Sequence, residues 1–249
     1  MTHPLSMTRQ MLGQLGLHGM ADALDRQQSD LSFTAMPFEQ RLGLLVEQEL
    51  RDKDNRKVER LLKRAKLRYS QAVLEDMDYR SGRGLDPLQI QTLATGDWMR
   101  HKQNLILTGA TGTGKSWLAC AFGQLACRQG IGTLYMTATR LFEDLANSQA
   151  DGSLPKLRRQ LVTTPLLIID DLGIGGINPQ LGPALLDILD HQSMIGSLIL
   201  TSQYPPSAWY DLFGDPTIAD AILDRIVHRA HPLELKGESM RKLRARKMS

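Results

Sequence analysis

Eight consecutive residues, Gly109, Ala110, Thr111, Gly112, Thr113, Gly114, Lys115 and Ser116, fill every position of the pattern G-x-x-x-x-G-K-[ST]. Three glycines let the backbone curl tightly and aim its N–H groups inward, where they suit phosphate oxygens and little else. The lysine is expected to reach the β- and γ-phosphates, and the Ser116 hydroxyl to ligate Mg2+. Trp117 completes the expected nucleotide-binding stretch. The context fits as well as the letters: the apolar segment NLILT (104–108) precedes the loop directly and an amphipathic helix follows it. A helix N-terminus adds its own partial positive charge at the phosphates.

A Mg2+-bound triphosphate also needs a carboxylate. Asp170 and Asp171 end the apolar run LLII (166–169), which reads as a strand buried on both faces, and such strands open on the ligand side at their C-terminal ends. Asp170 is expected in the metal shell, and Asp171, one residue on, is expected to polarise an attacking water. The competing reading is a strand merely ending in a DDLG turn. A later apolar run, LIL (198–200), ends in Thr201, Ser202 and Gln203, any of which could sense the water or the γ-phosphate; Ser202 and Gln203 are the preferred pair.

These groups must be carried by an alternation of short strands and helices. Strands are expected at 104–108, 133–137, 166–170, 197–203 and 232–236, with helices at 116–129, 140–148, 179–194 and 218–228. The fold class is therefore α/β, a three-layer P-loop domain with a central parallel sheet. Before it, Leu12, Leu15, Leu17, Met20 and Leu24, then Phe38, Leu42, Leu45 and Leu50, recur at helical spacing, predicting a small all-helical N-terminal domain. The Gly- and Pro-bearing run SGRGLDP (81–87) suggests a boundary that divides the chain into residues 1–80 and 81–249.

The 249 residues carry 30 Lys and Arg against 27 Asp and Glu, a net +3 that looks too small to imply nucleic acid. The distribution is uneven. Residues 51–68 hold nine basic and three acidic groups and residues 236–249 six and one, while the rest of the chain is acidic. Arg56, Lys57, Arg60, Lys63, Arg64, Lys66 and Arg68 are thus the expected nucleic-acid contacts, set around a thin stripe of Val58, Leu61, Leu62 and Ala65. The bland alternative is a solvated helix face.

No apolar run approaches the roughly 18 residues that span a bilayer, and the N-terminus has no secretory pattern, so a soluble cytoplasmic protein is expected. Cys120 and Cys127, about 10 Å apart along one helix, cannot pair and are expected to pack in the core. The six histidines show no zinc spacing.

Gly96-Asp97-Trp98 followed by NLILTGATGTGKSWLA, then LLIIDDLG, LTSQYPPSAW and ADAILDRIVHRAHPLELKGESMR, resembles the IstB-type AAA+ ATPases, helper proteins of bacterial insertion-sequence transposition, within the wider DnaA and DnaC class. The resemblance covers nearly the whole chain. It implies a ring or helical homo-oligomer with ATP bound between subunits, completed by a neighbour's arginine that matches Arg225 best and Arg229 second. It also implies binding of double-stranded DNA without strong sequence preference, and an IstA-type transposase as partner. Two departures stand out. Too few residues follow the arginine helix for a full lid domain, leaving Arg241 as a weak second-sensor candidate, and Asp171 stands where many AAA+ enzymes have Glu, which suggests slow hydrolysis.

A DnaC-like replicative helicase loader would share the same core and differ in its N-terminal partner. A small-molecule P-loop kinase would need a mobile arginine-bearing lid and turn over as a monomer. A DNA-binding scaffold that holds ATP without hydrolysing it would tolerate the short Asp171.

Overall fold

The computed structural model describes residues 4–79, 82–173, 178–213, 215–240 and 242, the first two of them by backbone alone. It divides into two compact units, Met1–Arg60 and Leu61–Ser249. The division falls about twenty residues before the Gly- and Pro-bearing run. The reason lies in packing: Leu67, Tyr69, Ala72, Leu74 and Met77 belong to the core of the larger unit, so the chain has joined that unit well before Gly82.

The smaller unit consists of α1 (Pro4–Gln14), α2 (His18–Ser29) and the part of α3 (Phe38–Ala65) up to Arg60. Gly19 lets α2 lie directly on α3: a Cβ there would stand 2.9 Å from the Gln48 carbonyl oxygen and from the Glu49 Cα. Glu49 is buried at that crossing. Its carboxylate accepts the Met20 N–H at 3.2 Å and pairs with Arg56 at 3.2 Å, which supplies the partners a buried charge requires.

The larger unit is a five-stranded parallel sheet of order β2-β3-β4-β1-β5, formed by β1 (Asn104–Gly109), β2 (Thr133–Thr137), β3 (Leu166–Leu172), β4 (Ser197–Ser202) and β5 (Ala230–Leu235). Its helices are α4 (Pro87–Ala94), α5 (Asp97–Arg100), α6 (Lys115–Arg128), α7 (Ala138–Asp151), α8 (Leu154–Val162), α9 (Gly182–Ile195) and α10 (Pro216–Val227). The two-residue period of each strand sorts its side chains between two cores. Ile106, Leu167, Ile169, Leu198 and Leu200 face α7, α8, α9 and α10, while Leu105, Leu107, Leu166, Ile168 and Ile199 face α4, α5 and α6. This is the three-layer α/β architecture expected from the strand and helix alternation. Three helices are additions to that expectation: α4, α5 and α8.

The GDW segment positions α4 and α5 on α6. Trp98 is buried, donates its indole N–H to the Leu93 carbonyl at 3.0 Å and meets Phe122 of α6 edge to face with ring centroids 6.3 Å apart. Asn104 locks the opposite end of the sheet. Its side chain donates to the Ile226 carbonyl at 3.0 Å and accepts the Leu198 N–H at 2.9 Å, joining β1, β4 and the end of α10. Cys120 and Cys127 are both fully buried, unpaired thiols on α6.

Candidate nucleotide site

The loop between β1 and α6 is held from behind by the rest of the unit. Gly109, Gly112 and Gly114 take φ values of 137°, 85° and 98°, in the left-handed half of conformational space where a side chain is strained. They are also sites of close approach: an added Cβ would stand 2.1 Å from the Leu235 carbonyl oxygen, 2.4 Å from Ser239 Oγ and 2.6 Å from Arg83 Nη2, respectively. The α6 helix opens at Lys115, so its unpaired first-turn N–H groups face the loop. Lys115 is 5% exposed, and its Nζ donates to the carbonyls of Gly109 at 2.8 Å and Ala110 at 3.0 Å. Burial pushes its pKa below the usual lysine value, against the opposing pull of Asp171 and Asp170.

Asp170 has no exposed surface and is fixed on both oxygens: Tyr135 donates to Oδ2 at 2.6 Å and Thr201 to Oδ1 at 2.5 Å. Burial and the neighbouring Asp170 push the Tyr135 phenol far above its ordinary pKa, so it stays protonated and remains a donor. Asp171 departs from strand geometry. Its φ is 61°, the β3–β4 register shifts between Ile169 and Leu172, and its N–H donates to Thr201 Oγ1 at 2.9 Å. A non-glycine residue in this conformation is strained and needs support from its surroundings, which the Thr201 hydroxyl supplies. The result is two adjacent carboxylates held in different orientations at one strand end.

These residues fit Mg2+ with a triphosphate. The Asp170 carboxylate and the Ser116 hydroxyl are hard oxygen donors, and among the described residues no group of three or more His, Cys, Asp or Glu could hold a metal alone. That suits a cation that takes one or two protein oxygens and completes its shell with phosphate and water.

The third predicted element resolves differently for each residue. Ser202 is fully buried, donates to the Leu172 carbonyl at 2.8 Å and accepts from the Tyr204 N–H and the Trp209 indole, so its hydroxyl is committed to closing the end of the sheet. Thr201, left undecided by the sequence, is the residue that touches Asp170. Gln203 is partly exposed just beyond the strand.

Arg225 lies on α10 and pairs with Asp190 of α9 at 2.6 Å, not with Asp220 or Asp224 of its own helix; Nη1 also donates to the Ala221 carbonyl. It lines a groove of about 740 Å³ with Asp220, Asp224 and His228. Arg229 is exposed at the α10–β5 turn. Arg241 lies outside the described residues, as does most of the basic run 236–249.

The basic residues of 51–68 are not equivalent. Arg56 is engaged with Glu49, and Arg68 stands beside Asp170 and Asp171, so neither presents an uncommitted charge to DNA. Lys57, Arg60, Lys63, Arg64 and Lys66 are exposed and have no ion pair among the described residues.

Arg83 was hidden in a run that reads only as a linker. It is 5% exposed, donates from Nη2 to the Thr113 carbonyl at 2.8 Å, and its own carbonyl accepts the Lys236 N–H at 2.8 Å. Met240 adds a second strap, donating its N–H to the Gly112 carbonyl at 2.9 Å. An arginine between two glycines is the one signal that could have drawn notice, but nothing in its spacing points to the loop thirty residues away.

The parallel sheet, the glycine loop and the paired aspartates define a P-loop nucleotide-binding domain. The profile of the IstB-like ATP-binding proteins matches residues 10–248, and the chain belongs to that family. An insertion-sequence ATP-binding protein of Sinorhizobium fredii is 45% identical over 247 residues, 99% of either chain. Another from Pseudomonas fluorescens is 46% identical over 200 residues, covering 80% of this chain and 87% of its own. Among solved structures, DnaI superposes with a TM-score of 0.57 at 23% identity over 72% of this chain and 94% of its own. AMPPCP-bound DnaA from Aquifex aeolicus gives 0.56 at 19% identity over 72% and 55%. At these identities the structural likeness speaks for the fold.

Proposed function

We propose that the protein is a Mg2+-dependent ATPase that assembles on double-stranded DNA with ATP bound between subunits, and that it serves a transposase of the IstA type. The observation that carries this reading is the Asp170–Asp171 pair beside a complete phosphate loop, in a chain whose full-length relatives are named insertion-sequence ATP-binding proteins. Ser116 and Asp170 would hold the ion, which neutralises charge on the β- and γ-phosphates. Lys115 leaves the Gly109 and Ala110 carbonyls for the phosphates. Tyr135 and Thr201 hold Asp170 in place by donating to both its oxygens. Asp171, turned aside by its left-handed backbone, accepts the proton of the attacking water, and Gln203 orients that water in place of Ser202. Arg225 is offered to the neighbouring subunit's γ-phosphate, which makes hydrolysis depend on assembly.

Lys57, Arg60, Lys63, Arg64 and Lys66 supply the DNA contacts, with no base reading implied. Binding then weakens with salt at a slope near −0.9 per phosphate contact. The test combines duplex DNA, ATP and Mg2+: the expected results are a steep salt dependence and phosphate release that rises with protein concentration. A flat salt response would remove DNA from the account, and absence of phosphate release would favour a non-hydrolysing scaffold. The helicase-loader alternative shares the fold of DnaI; co-purification of a replicative helicase in place of a transposase would select it.

A further inference from the structure

Arg68 is the last cation of the basic block, and charge counting groups it with the DNA contacts. The backbone separates it from them. α3 ends at Ala65, and Lys66 takes a φ of 53°, the left-handed turn that terminates a helix. The turn sends Leu67 onto α6, where its Cδ2 would stand 2.9 Å from a Cβ on Gly123. Arg68 is thereby directed over the C-terminal edge of the sheet. Its Nη1 lies 4.0 Å from Asp170 Oδ2 and 3.9 Å from Asp171 Oδ2, and its guanidinium stacks 5.7 Å from the centre of the Tyr69 ring. Tyr135 first, then Tyr69 and Asp170, hold its pKa above the usual arginine value.

Lys115 is engaged with the loop carbonyls, and Arg68 bridges the two carboxylates. Arginine cannot shed its charge. A guanidinium within 4 Å of both acids and a divalent ion bound to Asp170 repel each other strongly. The two therefore compete for one pair of carboxylates.

We propose that Arg68 is a positioning residue that holds the Asp170–Asp171 pair and yields it to Mg2+ when ATP binds, so that the segment from Leu67 to Tyr69 shifts with nucleotide state. This rests on the ATP reading given above. It makes Arg68 a part of the nucleotide site and removes it from the DNA surface. Because Arg68 follows directly on the basic turn at Lys63, Arg64 and Lys66, the same shift gives the DNA-contacting segment a covalent link to the metal site.

The experiment measures binding of a fluorescent ATP analogue as Mg2+ is titrated, for the full chain and for Arg68→Ala and Arg68→Lys, together with the salt dependence of DNA binding by each. Removal of the competing cation is expected to lower the Mg2+ concentration at half-saturation about three- to tenfold in Arg68→Ala. Arg68→Lys, which keeps a charge but cannot span both acids, is expected to shift it in the same direction by less, and serves if the alanine variant fails to fold. The DNA salt slope should be unchanged. An unmoved or raised Mg2+ midpoint overturns the proposal, as does loss of about one unit of salt slope, which would return Arg68 to the DNA contacts. If the wild-type chain itself binds no nucleotide at any Mg2+ concentration, the ATP reading fails and this proposal with it; normal wild-type binding with an unmoved midpoint refutes the role of Arg68 alone.

Discussion

Lys115, Asp171 and Thr201 do different work within a few ångströms, and their variants should separate accordingly. Lys115→Ala is expected to abolish nucleotide binding, because it removes the ammonium held at the Gly109 and Ala110 carbonyls of the glycine loop; equilibrium binding of labelled ATP checks this. Asp171→Asn should bind ATP normally, stop turnover and prolong the DNA-bound oligomer. Asn tolerates the 61° backbone as Asp does, so the loss is chemical and not structural. Thr201→Val strips a donor from the buried Asp170 and an acceptor from the Asp171 N–H, each worth about 1 to 3 kcal/mol when left unmet. It should lower the unfolding midpoint as well as turnover, which distinguishes it from Asp171→Asn. The thiol of Cys120 is pushed up to about 11 by burial. It is therefore neutral at pH 8, and neither buried cysteine should react with a thiol reagent in the native protein, while both should react once denaturant is added. Because its folded pKa is raised above 9.0, the unfolded chain ionises first, and stability falls as pH climbs past that value.

At the scale of elements, the last turns of α3 carry the charge and α4 with α5 carry the packing. Charge reversal at Lys63, Arg64 and Lys66 should cut the DNA salt slope by two to three units while leaving nucleotide affinity within about twofold; unchanged DNA binding would reduce this surface to a solvated face. Trp98→Ala removes a buried indole, its bond to Leu93 and its edge contact with Phe122, at a cost of about 3 to 5 kcal/mol. The expected readout is a lower melting temperature with ATP affinity retained by the folded fraction. The sequence displayed GDW as a mark of the family, and the structure gives it the role of seating α5 on the helix that bears Lys115.

At the scale of the whole molecule, catalysis should require two chains. Arg225→Ala is expected to leave ATP binding intact and reduce hydrolysis by about 10³-fold or more, the order of effect of an arginine supplied in trans. Mixing it with Lys115→Ala should restore part of the activity, because some interfaces then combine an intact loop with an intact arginine. Two inactive variants that stay inactive together would assign Arg225 to its Asp190 ion pair alone. The fold itself was largely legible: five strands, the phosphate loop and the paired aspartates each follow local rules of period and turn. The boundary near residue 81 was less so, because Gly and Pro report local flexibility, whereas the unit begins where Leu67, Ala72 and Met77 find a core that is distant in sequence.

What the sequence determined by itself was the chemistry and its carriers: a glycine loop before a helix, and aspartates at the end of an apolar strand. These depend on neighbours in the chain, and local pattern suffices to write them. Which of Thr201, Ser202 and Gln203 meets Asp170, whether Arg83 is linker or loop support, and whether Arg68 stays with its basic neighbours or stands beside the paired aspartates were decided only by the tertiary structure. Each of those answers depends on which strand lies beside β3, on what packs behind the glycines, and on a single left-handed residue at Lys66 that turns one arginine away from its fellows. Charge and residue type are properties of the chain, but the partner that gives a charge its function is set by the fold.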